Sequence, residues 1–255
     1  MLIHESHIDV RTSANGKDST MLTGPVARFA RQIAGHGYIV AAPSSYHDFV
    51  GPEPLQYDAA DTDRGNQFKK DKTLASYDAD ARATIDHLLS LQTCTGRVGT
   101  TGMCLGGHLA VRAALDTRIS ACVSYFATDI QSRTLGPHAA ADTSPSPPPS
   151  SAHTLDLFPS LKGELAMIFG IQDTHVPDAG RDLIRAKLRD AAVVFSFHEF
   201  AGAQHAFIRD ELSKGRYDPA VTKVCFEVLL ELFGRVLRTD LGSKDPAVAP
   251  PEHVC

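Results

Sequence analysis

Arg97-Val98-Gly99-Thr100-Thr101, then Gly102-Met103-Cys104-Leu105-Gly106-Gly107, then His108-Leu109-Ala110-Val111-Arg112-Ala113-Ala114-Leu115 form the stretch that decides how this chain is read. The first block reads as a short buried strand and the last as a helix, so the hexapeptide between them is a sharp turn. A cysteine with glycines two before and two after it is held at a strained φ/ψ there. Side chains at the flanking positions would collide with the adjoining strand and helix. Such a turn lifts the sulfur to the carboxyl edge of a sheet and aims the first helical N–H groups at whatever the sulfur attacks. The bland alternative is a small, structural, buried Cys104, because free cysteine is commonly buried.

Outward from this turn, strand and helix patterns alternate, which predicts an α/β architecture: a mostly parallel sheet with helices on both faces. Upstream, Leu2-Ile3-His4 reads as the end of a strand, followed by a polar loop over Val10 to Thr20. A helix runs from about Pro25 to Ala34, stopped by Gly35 and Gly37, and Tyr38-Ile39-Val40-Ala41-Ala42 is a strand ended by Pro43. A long connection, Ser44 to Gln67, leads to an amphipathic helix from about Lys72 to Leu91. Downstream come a strand over Ile119 to Phe126, a strand over Glu164 to Phe169, a helix from about Gly180 to Arg189, a strand over Val193 to Phe200 and a last helix from Ala220 to Leu237.

Residues 132 to 156 break this rhythm. Their Pro/Ser-rich core, about 140–153, reads as an insertion within one domain spanning 1–241 rather than a linker, because the same alternation resumes beyond it. The tail, 242–255, reads as loose.

Composition narrows the function classes. The chain has 255 residues, 43% of them hydrophobic, with a net charge of −5, which gives no electrostatic footprint for nucleic acid. No apolar run approaches the ~18–20 residues of a membrane span, and no signal peptide is visible. Five cysteines, odd in number and with no C-x-x-C pair, point to reduced thiols in the cytoplasm rather than to a disulfide framework or a zinc site. No metal and no cofactor is expected.

A thiol nucleophile needs a base, and the base an acid to orient it; on strand–turn–helix nucleophile folds the order is nucleophile, acid, histidine. Asp173, in Gly170-Ile171-Gln172-Asp173-Thr174-His175-Val176-Pro177, directly follows an apolar strand. His205, in Ala201-Gly202-Ala203-Gln204-His205-Ala206-Phe207, directly follows the next strand. Both loops open on the edge that carries Cys104. Each has an alternative: Asp173 as a cap for the helix after Pro177, His205 as one of twelve histidines, and His175 as a rival base within the acid loop.

These motifs together resemble the dienelactone hydrolase family of α/β-hydrolases. The resemblance runs through Leu2-Ile3-His4-Glu5-Ser6, Gly35-His36-Gly37-Tyr38-Ile39-Val40-Ala41-Ala42-Pro43, the Gly-x-Cys-x-Gly-Gly turn and the Asp173 and His205 loops. It implies an α/β-hydrolase fold and a Cys104–His205–Asp173 triad. It also implies that Glu5 lies against the resting thiol, and that the N–H groups of Leu105 and Ser6 form an oxyanion hole. The family's substrate-carboxylate arginines match Arg209, four residues past His205, and Arg64, ahead of the long helix, with Phe68 where the family prototype has Tyr. Ordinary surface arginines are the alternative for both. The family's strands before the one carrying Glu5 are absent here or supplied by a neighbour. That leaves a sheet edge that could pair in a homodimer, the alternative being a monomer. The loop over Val10 to Thr20 is longer than the family's turn and could reshape the mouth.

The expected activity is therefore hydrolysis of small lactones or enol esters through an acyl-thioester, acting on a small-molecule substrate without nucleic acid or membrane. The rivals are a broader small carboxylesterase or thioesterase, a non-catalytic lactone-binding protein, and a redox-sensing thiol.

Overall fold

Four parallel strands carry the alternation from the elbow onward. In the computed structural model, which describes Ser6 and residues 24–50, 54–137, 153–209 and 215–238, they are β1 (Val98–Met103), β2 (Ile119–Tyr125), β3 (Glu164–Gly170) and β4 (Phe195–Phe200). They lie side by side in sequence order, all parallel. Met103 pairs with Tyr125, Tyr125 with Ile168, and Ile168 with His198, so the carboxyl ends of all four fall on one edge.

Side chains on a strand alternate between faces, and two neighbours on β2 show what covers each face. The Ser124 hydroxyl donates to the Gly107 carbonyl of α4 (Leu105–Ala113) at 2.9 Å. Tyr125 points the other way: its hydroxyl donates to the Cys225 carbonyl of α6 (Pro219–Phe233) at 3.2 Å. Its ring meets Phe29 of α1 (Gly24–Gly35) edge-on. Helices therefore flank the sheet on both faces, as the alternation predicts. On α1, Pro25, Phe29 and Ile33 recur at intervals of four as one buried stripe, from which Phe29 meets Tyr125 and Phe226 edge-on. A helix α5 (Asp178–Asp190) links β3 to β4, and a 3₁₀ turn over Thr154–Ser160 precedes β3.

Two expectations are corrected. The helix expected from about Lys72 to Leu91 is α3 (Leu74–Ser90), but the connection expected from Ser44 to Gln67 carries a further helix just ahead of it, α2 (Ala59–Asp71). Asp58 caps α2 by accepting from the Asp61 N–H, and Thr73 caps α3 by accepting from the Ser76 N–H. The caps decide the break, and α2 lacks any buried residue that could have announced it. Tyr38 to Ala42, expected as a strand, does not join the sheet among the described residues, where β1 is an outer strand. A cavity of about 660 Å³ lies along that edge, between β1 and residues 38–46. It reaches Tyr46 and Leu105 but is not lined by Cys104, Asp173 or His205.

The expected strand at Leu2-Ile3-His4, the Val10–Thr20 loop, residues 140–152 of the insertion expected at about 140–153, and the tail lie outside the described residues.

Candidate active site

The elbow is built by close backbone approach. Cys104 caps α4 with φ 56° and ψ −122°, a left-handed φ that costs a non-glycine residue roughly 1–3 kcal/mol. Its N–H donates to the Tyr125 carbonyl at 3.0 Å, which ties the turn to β2. A Cβ on Gly102 would fall 2.1 Å from the Gly106 carbonyl oxygen, and one on Gly107 would fall 2.7 Å from the Tyr125 carbonyl oxygen. A Cβ on Gly106 would meet nothing within 4 Å. The steric demand expected on both sides of the cysteine therefore rests on Gly102 and Gly107, not on Gly106.

The acid and base loops are knitted in the same way. The Ile171 N–H donates to the Phe200 carbonyl and the Gln172 N–H to the Ala203 carbonyl, both at 3.0 Å. Gly170 allows this approach, since a Cβ there would sit 2.2 Å from the Ala203 carbonyl oxygen.

The three strand-end residues converge. His205 Nε2 lies 3.2 Å from Cys104 Sγ, and its Nδ1 lies 2.8 Å from Asp173 Oδ2. Asp173 Oδ1 accepts from the His175 N–H at 2.8 Å, so Asp173 is not the cap of α5, whose N-cap is Pro177. His175 does not bridge to the sulfur; its ring lies against that of His205 instead. Asp173 is 2% exposed and His205 7%, which shelters the pair from solvent screening.

The charges follow from these contacts. Burial alone would push the Cys104 thiol up, but the hydrogen bond and charge of His205, with the Leu105 N–H and the Thr128 hydroxyl, hold it below its ordinary value. Burial alone would lower His205, yet Asp173 and the Cys104 sulfur push it up to about 9. The arrangement favours a thiolate–imidazolium pair at neutral pH. The other buried cysteines lack such partners, and burial pushes Cys122 and Cys225 up to about 12.

The remaining expected site residues fare differently. Leu105 opens α4 with its N–H at the sulfur. Glu5 lies outside the described residues, and Ser6 is exposed, with no hydrogen bond to Cys104 among the described residues. Arg209 stands on the His205 loop, its N–H donating to the Ala206 carbonyl and its guanidinium 4.6 Å over the Tyr57 ring. Arg64 lies ahead of the long helix α3, inside α2, half exposed, paired with Asp61 at 2.6 Å and lying over Phe68. Phe68 stacks on Phe49 at 4.8 Å and meets Tyr46 edge-on.

Several residues at the site went unread in the sequence. Thr128 Oγ1 lies 4.0 Å from Cys104 Sγ, and Phe126, at a left-handed φ of 37°, packs edge-on against His205 at 5.1 Å. Both directly follow β2, between the elbow strand and the acid strand, so the rule that located Asp173 points to them as well. Tyr46 comes close enough for the Cys104 charge, added to burial, to push its phenol up. Its segment is held by the fully buried Lys72 ammonium, which pairs with Asp48 at 2.8 Å and Asp80 at 2.6 Å; His47 also reaches Asp80 at 2.9 Å. Lys69 of α2 pairs with Asp129 at 3.1 Å. Among the described residues no group of three or more His, Cys, Asp or Glu is placed to hold a metal ion, and no helix is long and apolar enough to cross a membrane.

The whole chain has clear relatives. Residues 22–237 match the family model described as the dienelactone hydrolase family. A provisionally named carboxymethylenebutenolidase of Saccharomyces cerevisiae is 49% identical over 238 residues, covering 92% of this chain and 83% of its own length. The carboxymethylenebutenolidase of Pseudomonas sp. strain P51 is 31% identical over 102 residues, covering 40% of this chain and 43% of its own length. The solved structure of a provisionally assigned dienelactone hydrolase from Klebsiella pneumoniae superposes with a TM-score of 0.70 at 16% identity, covering 90% of this chain and 98% of that one. The chain belongs to the dienelactone hydrolase family, carboxylic-ester hydrolases of the α/β-hydrolase fold.

Proposed function

We propose that this hydrolase opens small lactones or enol esters with Cys104 as nucleophile, His205 as its base and Asp173 as the group that orients His205. The observation that carries this reading is the bridging position of His205, 3.2 Å from the sulfur and 2.8 Å from the Asp173 carboxylate. The Cys104 thiolate attacks the carbonyl carbon and the N–H of Leu105 steadies the oxyanion; the resemblance adds the N–H of Ser6 and the carboxylate of Glu5. The attack forms the C–S bond; collapse then restores the carbonyl, breaks the C–O bond and expels an enolate or alkoxide, which takes the proton from His205. Neutral His205 then accepts a proton from water as the water oxygen attacks the thioester, and the thiolate leaves. A thiolate is a better leaving group than an amine anion, so the same site suits activated esters rather than peptides. No metal or cofactor enters this scheme.

A broader carboxylesterase or thioesterase is the second reading. One observation favours it: Arg64 is occupied by Asp61, so Arg209 is left as the arginine nearest the base loop for a substrate carboxylate. The free state of Cys94, Cys104, Cys122 and Cys225 suits a reducing compartment, and a cytoplasmic monomer or homodimer acting on a small molecule fits this reading. The test is mass spectrometry after incubation with a dienelactone and with p-nitrophenyl acetate. An acyl group on the peptide carrying Cys104 is expected. Turnover of either ester by Cys104→Ala at the wild-type rate would overturn the reading.

A further inference from the structure

His175 sits two residues past Asp173, and its ring rests on that of His205, with centroids 4.2 Å apart and planes at 39°. The contact is built in from both sides of the backbone. The His175 N–H donates to Asp173 Oδ1 at 2.8 Å, and its carbonyl accepts from Gln131 Nε2 at 3.2 Å. The next residue, Val176, is fully buried and pins the loop. One carboxylate thus holds both histidines: Oδ2 takes the ring of His205 and Oδ1 the backbone of His175. Phe126 also packs edge-on against His205 at 5.1 Å, so the base touches both a phenyl ring and a second imidazole.

We propose that His175 is a positioning residue for His205: its ring backs the His205 imidazole, and its protonation sets the acid limit of the Cys104–His205 ion pair. The inference rests on the catalytic reading of that pair given above. A neutral imidazole face beside an imidazolium is a favourable neighbour. A second imidazolium at 4.2 Å is not, because like charges at that range penalise the charged form of each. Adding a proton to His175 therefore drives the His205 proton back toward Cys104, and the nucleophile reverts to a thiol. The groups that face His175 act in opposite directions. Burial lowers it, and the charges of His205 and Arg216 lower it further, whereas Asp173 and Asp129 raise it. The net effect holds His175 below the ordinary histidine value. Because the two rings interact, the acid limb belongs to the pair and not to either residue alone.

The test compares wild type with His175→Phe, which keeps a ring against His205 but cannot titrate, and His175→Gln, which keeps neither ring nor charge. The chain is used intact, with p-nitrophenyl acetate as substrate and iodoacetamide as an independent probe of the Cys104 thiolate, from pH 4.5 to 8. In both variants the acid-side midpoint of kcat/KM and of alkylation is expected to fall together by about half a pH unit or more. In His175→Gln the plateau kcat is expected to drop further, by about tenfold, as the support of the ring is lost. Acid limbs that coincide with wild type in both variants would overturn the inference even if the plateau changes. A Cys104→Ala control separates this from failure of the catalytic reading, which would show as retained ester turnover whatever the His175 variants do.

Discussion

The two sides of the site are assembled by different means. On the sheet side, Cys104, Asp173 and His205 each stand just past the end of a parallel strand, and backbone hydrogen bonds and glycine contacts fix them. On the α2 side, Arg64, Phe68 and Tyr46 are placed by ring contacts and by two ion-paired lysines, Lys69 and Lys72. A strand ladder transmits position with little slack, because each residue is tied to neighbours at one repeating spacing. A polar helix with no buried residue transmits position only through long side chains. Chemistry that needs sub-ångström placement therefore belongs on the first side, and adaptable substrate contacts on the second.

The comparison is tested hardest at the sulfur. Cys104→Ala is expected to lower kcat/KM for p-nitrophenyl acetate by about 10⁴-fold, the scale seen when a covalent nucleophile is removed. Activity within tenfold of wild type would move the chemistry off the sheet edge. A smaller effect comes from the partner charge. In wild type Cys104 is held below its ordinary value and His205 is pushed up to about 9, so the ion pair persists between those limits. Alkylation of Cys104 should thus already be fast at pH 7, while kcat/KM falls again as pH rises through about 9 and His205 loses the proton that the leaving group needs. Replacing His205 by Asn removes the cation and should slow alkylation at pH 7 by about 10–100-fold. An unchanged rate would mean that the thiolate does not depend on the sheet-edge pair.

Glycine substitutions at the elbow sharpen the comparison within one turn. Gly102→Ala places a Cβ 2.1 Å from the Gly106 carbonyl oxygen, a backbone atom that cannot swing away. A loss of about 2–4 kcal/mol is expected, read as a fall of about 5–15 °C in Tm for a chain of this size. Gly106→Ala meets no atom within 4 Å and lies in α4, so its Tm should stay within a few degrees of wild type. Equal losses at both positions would show that the turn resists any side chain, not one particular contact.

What could be read in the sequence divides along the same line. Cys104, Asp173 and His205 were legible because parallel topology sends every strand's carboxyl end to one edge, whatever separates the strands in the chain. Phe126 and Thr128, just past the end of β2, obey the same rule. The helix α2 itself was not legible from apolar spacing, because it has no buried stripe. Its signals were two caps, Asp58 with Asp61 and Thr73 with Ser76, lost within a run rich in polar residues. The burial of Lys72 could not be read at all, since its carboxylate partners, Asp48 and Asp80, come from different segments.

The mildest test compares the two arginines. Arg209 is held on the base loop by its own backbone bond to Ala206 and by the Tyr57 ring, so a substrate carboxylate that meets it also meets the sheet-edge frame. Arg64 is already committed to Asp61 on an exposed helix. For an ester carrying a carboxylate, Arg209→Ala should raise KM and lower kcat/KM by about 10–100-fold, the range of one charge-assisted hydrogen bond, with little change for its neutral twin. Arg64→Ala should cost less than about threefold on either substrate, since an exposed ion pair contributes little. A large, carboxylate-specific loss at Arg64 would mean that α2 swings toward the substrate when it binds. Long side chains on a helix with no buried anchor permit that movement, and the strand-end loops do not.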